Sequence, residues 1–352
     1  MRVDDVRRLG QTGLDITAMG FGGHPIGGLP MVFPDSALDA IDRAHAVGIR
    51  LFDTAPAYGR GLSERRMGQV LGAKSRNSFV LSSKVGRYLV PDASADEKAP
   101  GTPMRVVVDY SRDATLRSIE ASLHRLGLAR LDLVLIHDVD MRAHKTEEVY
   151  KARFREAMDG AYRALTELRD QQVIGAIGIG VNEVKPCLDF ASAGRFDCFM
   201  LAGRFTLLEH AEALEKLLPL CLDQSVGVLM AGPYNSGILG SGPIPGAKYF
   251  YEDASPEILA RTRRIQAVCE EFAVPLAAAA LQFPLLHRAI SSVVVGSVTP
   301  PQVDQNVEFM KVEIPIDLWR QLQAEKLLAE SVPIAGDGGE DGDGRRKPEL
   351  GR

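Results

Sequence analysis

The sequence has few cysteines, and none of them is arranged as a disulfide framework or a metal site requires. Four cysteines lie far apart among 352 residues, at positions 187, 198, 221 and 269, and no C-x-x-C occurs. The seven histidines form neither H-E-x-x-H nor H-x-H, so no metal site is predicted. We expect the cysteines to be buried as small apolar side chains in a reducing compartment.

Long apolar runs and a strong excess of one charge are also missing. The first fifteen residues, MRVDDVRRLGQTGLD, carry both charges and lack the apolar core of a secretion signal. No uninterrupted apolar run reaches the length of a membrane span. The net charge of −5 gives no reason to expect a nucleic acid or an anionic membrane as partner. We expect a soluble cytoplasmic protein, and the sequence gives no indication of its oligomeric state.

Short apolar runs alternate regularly with amphipathic stretches along most of the chain. The runs are typical of parallel strands covered on both faces: 17–21, 49–52, 79–82, 131–136, 174–179, 197–201, 226–230 and 290–295. The helix-like stretches are 35–47, 63–71, 111–126, 155–169, 183–191, 208–222, 256–272 and 300–309. Eight such pairs predict an α/β fold, the closed (β/α)8 TIM barrel. A doubly wound sheet is the rival, but its G-x-G-x-x-G is absent from the first turn, GFGGHP (20–25).

Several segments fall outside this repeat. Residues 6–9 and 14–16, around Gln-Thr-Gly, predict an N-terminal β-hairpin that plugs the barrel. Residues 315–330 predict an extra C-terminal helix. We therefore expect one domain over residues 1–332, followed by a disordered tail, 333–352, which is rich in glycine and charge. The long stretches 88–105 and 139–154 are expected as loops over the catalytic face.

Polar residues stand at the ends of three consecutive predicted strands. Asp53 follows the second run directly, with Tyr58 five residues later, while Lys84 follows the third run and His137 the fourth. Taken singly, each has an ordinary interpretation as a helix cap, a solvated charge, a packing residue or a hydrogen-bonded core residue. Barrel enzymes gather catalytic side chains from the C-terminal ends of different strands, so together the four predict one catalytic group.

These four side chains suit proton transfer at a carbonyl or alcohol oxygen. A tyrosine hydroxyl has an ordinary pKa of about 10, and the ammonium of Lys84 is expected to lower it for Tyr58. Asp53 would keep Lys84 charged, and His137 would direct the substrate oxygen. None of them supplies hydride, so a nicotinamide cofactor is expected. A serine hydrolase is set aside because no G-x-S-x-G is present.

With these residues assembled, the sequence resembles the aldo-keto reductase superfamily from about residue 8 to residue 328. The motifs that carry the resemblance are LFDTAPAYG (51–59), SSKVGR (82–87) and LVLIHDVD (133–140). The resemblance implies that the superfamily's catalytic Asp, Tyr, Lys and His are Asp53, Tyr58, Lys84 and His137.

Three further stretches resemble one branch of that superfamily. They are GIGVNE (178–183), LAGRFTLLEH (201–210) and PYNSGIL (233–239). The branch is that of D-threo-aldose 1-dehydrogenase, which includes L-fucose dehydrogenases and pyridoxal 4-dehydrogenase. The resemblance therefore implies a small sugar, alcohol or aldehyde as substrate.

The resemblance also implies a set of cofactor contacts, with departures around the nicotinamide. Ala202 stands where the family has a glutamine, and Ala231 stands where it has the aromatic residue that stacks on the nicotinamide. Phe205 or Tyr234 is the candidate to supply that ring face instead. The expected cofactor-binding residues are Gly22, Asp53, Asn182, Ser236, Gly237, Leu239, Gly296, Ser297, Gln302 and Asn306.

The segment GSVTPPQVDQN (296–306) resembles the family's phosphate-binding segment. Gly296 and Ser297 would offer backbone N–H groups to phosphate near a helix N-terminus, and Gln302 and Asn306 would contact the adenosine end. Val298 replaces the arginine that NADPH-using relatives direct at the 2′-phosphate, and a valine offers neither charge nor donor. We predict NAD as the cofactor, with NADP as the alternative if an arginine from elsewhere takes that role.

The sequence therefore predicts an NAD-dependent oxidoreductase that oxidises the anomeric hydroxyl of an aldose of the L-fucose or D-arabinose type, or a similar small polar alcohol or aldehyde. Two alternatives stay open. One is an NADPH-dependent aldehyde or ketone reductase. The other is a cofactor-binding regulatory subunit without turnover, since fold alone does not settle function.

Overall fold

The computed structural model describes residues 2–28, 33–92, 94 and 103–334. Its strands are β1 Val6–Arg8, β2 Asp15–Thr17, β3 Met19–Gly22, β4 Leu51–Asp53, β5 Val80–Val85, β6 Arg87–Pro91, β7 Met104–Val108, β8 Leu133–His137, β9 Ala176–Val181, β10 Cys198–Ala202, β11 Gly227–Ala231, β12 Lys248–Tyr249, β13 Glu252–Asp253 and β14 Ile290–Gly296. Its α-helices are α1 Pro34–Ala46, α2 Leu62–Leu71, α3 Arg112–Leu126, α4 Met141–His144, α5 Glu147–Ala157, α6 Arg163–Asp170, α7 Val184–Ala193, α8 Leu218–Asp223, α9 Ile238–Ser241, α10 Pro256–Glu271, α11 Leu276–Gln282, α12 Pro300–Lys311 and α13 Ile316–Ala324. The predicted tail lies outside the described residues from Ala335 onward.

Eight parallel strands close into a barrel, as the apolar runs predict. Around the barrel their order is β3, β4, β5, β8, β9, β10, β11 and β14, with β14 pairing back onto β3. Each lies within three residues of a predicted run. Most begin and end slightly later than the apolar run, and in β4, β5 and β8 this extension includes Asp53, Lys84 and His137. The polar site residues are therefore part of the strands and share their register.

That register explains how three side chains reach one place. Asp53 lies opposite Ser82, and Lys84, two residues beyond Ser82, lies opposite Leu135. His137, in turn, stands two residues beyond Leu135. Because side chains along a strand alternate with a period of two, Asp53, Lys84 and His137 all point to the same side of the sheet. Because neighbouring barrel strands are shifted in register, the three side chains lie side by side inside the C-terminal end of the barrel.

The N-terminal hairpin closes the opposite end of the barrel, as predicted. Its strands β1 and β2 pair antiparallel, and Leu9 and Ile16 are fully buried in the lower layer of the barrel interior. Gly10 has a φ of +53°, and a Cβ there would lie 2.6 Å from the backbone oxygen of Asp197. Glycine is therefore needed where the turn meets the strand ends.

Both stretches expected as loops contain regular structure in the described residues. The first forms the antiparallel ribbon β6–β7, with residue 93 and residues 95–102 outside the description. The second forms α4 and α5, and Thr146 caps α5 by accepting from the Val149 N–H. α5 escaped prediction because it is mostly charged, with only Tyr150 and Ala157 buried, so its apolar stripe is too thin to give a helical period.

Two other helices differ from prediction: α11 was not predicted, and α13 is shorter than predicted. α11 is buried at every residue, so its sequence shows no polar face from which a helix could be recognised. The predicted C-terminal helix is present as α13 but is shorter than the stretch 315–330. Both helices pack around the barrel without contributing to the mouth.

The cysteines are buried and unpaired, as expected. Burial raises the pKa of the Cys221 and Cys269 thiols to about 12, so they are protonated and unreactive. Among the described residues, no single helix is long and apolar enough to cross a membrane, although α10 and the segment Leu276–Leu286, bent by 99°, pass that test together.

Candidate active site

A buried ion pair forms the base of the site. Lys84 Nζ lies 2.7 Å from each carboxylate oxygen of Asp53 and 2.9 Å from the carbonyl oxygen of Thr54. The two charged side chains are 2% and 4% exposed, and Ser82 Oγ donates a further hydrogen bond to Asp53 at 2.9 Å. All three N–H donors of the ammonium therefore have acceptors. The Lys84 side chain is therefore held in one orientation at the base of the cavity.

Tyr58 is brought over this pair by a tight turn after β4. Gly59 has a φ of +61°, and a Cβ there would lie 1.4 Å from the Gly27 carbonyl oxygen, so only glycine fits. The Lys84 ammonium lies 4.8 Å from the centre of the Tyr58 ring. The Tyr58 ring also meets His137 edge to face, with 5.7 Å between centroids. The four predicted catalytic residues thus lie together at one point of the barrel mouth.

The electrostatics of Tyr58 differ from the sequence-based expectation. Burial raises the pKa of the phenol well above its ordinary value, and the carboxylates of Asp53 and Asp138 raise it further. Lys84 was expected to lower this pKa, but burial and the two carboxylates outweigh the attraction of the ammonium for a phenolate. In the unliganded protein, Tyr58 is therefore a neutral hydroxyl and a proton donor.

His137 is neutral as well, and its environment indicates which nitrogen carries the proton. Burial lowers its pKa well below the ordinary value, and the charges of Lys84 and Arg87 lower it further. Its Nδ1 is buried without a hydrogen-bond partner among the described residues. A buried N–H without an acceptor is costly, so we assign the proton to Nε2. His137 therefore offers an N–H donor from Nε2.

These side chains open into a cavity of about 460 Å³ at the C-terminal mouth of the barrel. Its walls include residues that the sequence analysis did not single out: His24, Arg87, Asp138, Arg142 and Tyr251. Asp138 had a sequence signal, since it follows His137 directly in LVLIHDVD. Arg87 is the last residue of the motif SSKVGR and begins β6, and Arg142 lies in α4. His24 and Tyr251 come from two further parts of the chain, so the convergence of these residues is visible only in the fold.

One wall of the cavity is a hydrogen-bonded polar network. Arg87 and Asp138 form an ion pair, and Asn182 Nδ2 lies 3.2 Å from Asp138 Oδ1 and 3.0 Å from Asp140 Oδ2. Asp140 also accepts from the Asn182 backbone N–H at 2.9 Å. The network fixes Asn182 and presents both charged and neutral polar groups to a ligand. Such a wall suits a hydroxylated substrate better than an apolar one.

The predicted cofactor residues fall into two groups. Gly22, Asp53, Asn182 and Gly296 line the cavity together with Tyr58, Lys84 and His137. The others lie away from its lining and make internal contacts. Asn306 accepts from the Tyr234 hydroxyl at 2.7 Å and donates to Ser297 Oγ at 3.1 Å. Their contacts with a cofactor remain a prediction.

The remaining predicted cofactor residues also have partners within the fold. Gln302 Oε1 accepts from the Val298 N–H at 2.8 Å, and Ser236 Oγ accepts from the Tyr251 N–H at 2.9 Å. Gly237 has a φ of +110° before α9, and Leu239 is fully buried. These groups shape the two loops in which a cofactor is predicted to lie.

Of the two residues predicted to stack on the nicotinamide, Phe205 is placed where it cannot do so. Phe205 is fully buried and packs on Phe283, with 5.0 Å between ring centroids. It therefore has no free face for a ligand. Tyr234 is half-buried, with its hydroxyl bound to Asn306, and its stacking role stays a prediction. Tyr251, which was not predicted, lines the cavity.

The residues present fit a nicotinamide ring. Several residues lining the cavity have at most a methyl side chain, which leaves space for a flat ring: Gly22, Gly180, Ala202, Ala231, Gly232 and Gly296. A Cβ at Gly180 would lie 3.3 Å from Lys84 Cε, so this glycine keeps space open beside the catalytic lysine. No group of three or more His, Cys, Asp or Glu side chains suited to a metal lies within the part of the chain that the structure describes.

Comparisons with known proteins agree with this geometry. The sequence matches the aldo/keto reductase family over residues 18–325. It is 38% identical to pyridoxal 4-dehydrogenase from Microbacterium luteolum over 94% of this chain and 99% of that protein. It is also 38% identical to D-threo-aldose 1-dehydrogenase from a Pseudomonas species, over 90% of this chain and 96% of that protein.

Solved structures show the same fold at lower identity. An aldo-keto reductase from Bacillus halodurans in its holo form superposes with a TM-score of 0.72 at 23% identity, covering 92% of this chain and 95% of that chain. The glycerol dehydrogenase from Gluconobacter oxydans gives 0.71 at 23% identity, covering 97% and 99%. From its sequence match and its near full-length relatives, the chain belongs to the aldo/keto reductase family and is an oxidoreductase that uses a nicotinamide cofactor.

Proposed function

We propose that the protein is an NAD-linked dehydrogenase that oxidises the anomeric hydroxyl of an aldose, or a similar small polar alcohol or aldehyde. The observation that carries this proposal is the Asp53–Lys84 pair beneath Tyr58 and His137, opening into a polar cavity. The names of the two relatives at 38% identity point to the same substrate range. Both the choice of NAD as cofactor and the choice of an aldose as substrate are part of this proposal.

The side chains have separate tasks in this reaction. The substrate hydroxyl lies between Tyr58 and His137, where the Nε2–H of His137 holds its oxygen in one direction. Tyr58 takes the hydroxyl proton as a general base in oxidation and returns it in reduction. Lys84 stabilises the negative charge that develops on the phenol oxygen, while Asp53 holds the ammonium in place. When bound, the nicotinamide supplies the hydride acceptor that no side chain offers.

The direct experiment is an assay of the purified protein with L-fucose or D-arabinose and NAD, following the absorbance of NADH. NADH formation supports the proposal. Turnover restricted to aldehydes with NADPH would replace it with the carbonyl reductase alternative. The neutral phenol of Tyr58 is the proton donor that such a reduction needs, so the same site serves either direction and the cofactor decides between them.

The raised pKa of Tyr58 predicts opposite pH dependence for the two directions. Below that pKa, the phenolate fraction and therefore kcat/KM for oxidation should rise about tenfold per pH unit between about pH 7 and pH 9. Reduction needs the neutral phenol and should stay level over the same range. His137 stays neutral over this range because burial lowers its pKa, so its titration does not change either pH profile. Equal pH profiles for both directions would contradict this assignment.

The preference for NAD rests on the surroundings of Val298. Its backbone N–H is bound by Gln302 Oε1 at 2.8 Å, and its carbonyl oxygen accepts from Ser36 Oγ at 2.9 Å. Arg43, which α1 directs at α12, already pairs with Asp304 at 2.6 Å. The valine side chain therefore offers a 2′-phosphate neither charge nor a hydrogen-bond donor, and the neighbouring Arg43 is already paired.

Replacing the valine tests the cofactor preference. Val298→Arg is expected to raise kcat/KM for NADP by about tenfold or more, because the guanidinium can bind phosphate through charge-assisted hydrogen bonds. Val298→Ala removes the valine without adding charge and serves as the matched control. Wild-type protein that binds NADP more tightly than NAD would show that another residue recognises the phosphate.

A further inference from the structure

Asp138 occupies an unusual position beside the catalytic histidine. It follows His137 directly and has a φ of +52°, a left-handed conformation that few residues other than glycine adopt. The conformation is held from both sides. The Asp138 N–H donates to the Gly180 carbonyl oxygen at 2.8 Å, and the Tyr110 hydroxyl lies 3.3 Å from the Asp138 carbonyl oxygen. Aspartate is among the residues that tolerate this conformation, so the backbone here is fixed by its hydrogen bonds.

This backbone conformation places the Asp138 carboxylate at the cavity wall next to the imidazole. One oxygen, Oδ2, pairs with Arg87, and the other, Oδ1, accepts from Asn182 Nδ2 at 3.2 Å. Oδ1 also lies 3.6 Å from His137 Nε2, which is beyond hydrogen-bond range. A carboxylate oxygen has about two acceptor positions, so Oδ1 can accept from one further donor.

The spacing of these two atoms matches a vicinal pair of oxygens. The reacting oxygen lies one hydrogen bond from His137 Nε2, about 2.9 Å. A hydroxyl on the adjacent carbon lies about one hydrogen-bond length from the reacting oxygen. That hydroxyl can donate a second hydrogen bond to Asp138 Oδ1. The two substrate oxygens, Oδ1 and His137 Nε2 then form a quadrilateral, in which Oδ1 and Nε2 are 3.6 Å apart.

We propose that Asp138 binds the hydroxyl on the carbon next to the reacting one, so that the enzyme selects α-hydroxy aldehydes and aldoses over their deoxy analogues. This inference rests on the proposed oxidoreductase function and adds the residue that sets substrate class. The alternative is that Asp138 only anchors Arg87 and shapes the wall. Only the first role depends on whether the substrate carries the adjacent hydroxyl.

The test compares matched substrates with the wild-type enzyme and an Asp138→Asn variant. The first pair is L-fucose and 2-deoxy-L-fucose, oxidised with NAD. The second is lactaldehyde and propanal, reduced with NADH and with NADPH, which isolates the adjacent hydroxyl without requiring an aldose. Asparagine suits the variant because it tolerates a positive φ and keeps the shape of the side chain.

Asp132, at the N-terminal end of β8, provides a matched control for Asp138, at its C-terminal end. Asp132, immediately before β8, is also a largely buried aspartate, paired with Arg76 at 2.6 Å, and it accepts from the Leu81 N–H at 2.8 Å. Asp132→Asn removes a buried carboxylate–arginine pair far from the cavity. Any loss of activity that it shares with Asp138→Asn is structural.

We expect wild type to prefer the hydroxylated member of each reacting pair in kcat/KM by at least about tenfold, because the deoxy analogue leaves Asp138 Oδ1 without its donor. Asp138→Asn changes the charge beside Tyr58 for both substrates, so the diagnostic quantity is the ratio of the two kcat/KM values. The variant should lower kcat/KM for the hydroxylated substrate much more than for the deoxy analogue and so reduce this ratio, while Asp132→Asn keeps the wild-type ratio. Equal losses for both members, or a wild type that does not discriminate, would overturn the inference about Asp138.

The two substrate pairs separate this inference from the proposed function. Discrimination in the lactaldehyde pair without any aldose oxidation supports Asp138 and rejects the aldose as substrate. Aldose oxidation without discrimination in either pair supports the function and rejects the role of Asp138. Failure of every substrate to react rejects both.

Discussion

Replacing Tyr58 with phenylalanine is expected to lower kcat for aldose oxidation by about 10³–10⁴-fold, since the phenol is the group that exchanges the substrate proton. The ring remains, and with it the edge-to-face contact with His137 and the position above Lys84. The variant should therefore fold normally and bind cofactor as the wild type does. Steady-state kinetics and a cofactor titration by protein fluorescence measure the two quantities separately.

A matched tyrosine controls for the loss of a phenol hydroxyl in general. The Tyr162 hydroxyl accepts from the Arg195 backbone N–H at 2.9 Å, and it lies outside the cavity lining. Tyr162→Phe should keep kcat near the wild-type value. If Tyr58→Phe retains a substantial part of its turnover, another group carries the proton and the mechanism is wrong.

The second large effect is expected at the buried ion pair. Lys84→Met leaves the Asp53 carboxylate without its charged partner in a site where both side chains are almost completely buried. An unpaired buried charge costs about 3–5 kcal/mol in the free energy of unfolding. The variant should also lose turnover, because Tyr58 loses the cation beside its ring. Urea unfolding followed by circular dichroism measures the stability.

The double variant separates the two effects of Lys84. Adding Asp53→Asn to Lys84→Met removes the unpaired charge, so most of the lost stability should return. Turnover should not return, because the ammonium is still absent. If the double variant recovers turnover together with stability, Lys84 has only a structural role. If Lys84→Met is as stable as the wild type, the pair contributes little to the fold.

The barrel and the meeting of Asp53, Tyr58, Lys84 and His137 at its mouth could be predicted, because both follow from patterns in the sequence. Buried parallel strands are apolar on both faces, and the alternation with helices repeats eight times. Asp53, Lys84 and His137 extend those strands, so their positions followed from the strand predictions. Tyr58 was placed by its short distance along the chain from Asp53.

The features that escaped prediction depend on tertiary packing. α11 is buried all round and α5 is mostly charged, so neither shows the amphipathic period of a surface helix. The polar wall joins Arg87, Asp138 and Asn182 from three different strands and loops, and no local pattern connects them. The direction of the Tyr58 pKa depends on burial, which the sequence did not reveal.

The central claim is that these residues promote the transfer of a hydride from the anomeric carbon of an aldose to a nicotinamide, with Tyr58 taking the hydroxyl proton. The most direct measurement uses L-fucose with deuterium on its anomeric carbon and NAD, followed by mass spectrometry of the reduced cofactor. We predict that the deuterium is found in the nicotinamide and that kcat/KM falls relative to unlabelled L-fucose. A reduced cofactor without deuterium, or no reduced cofactor at all, would contradict the claim.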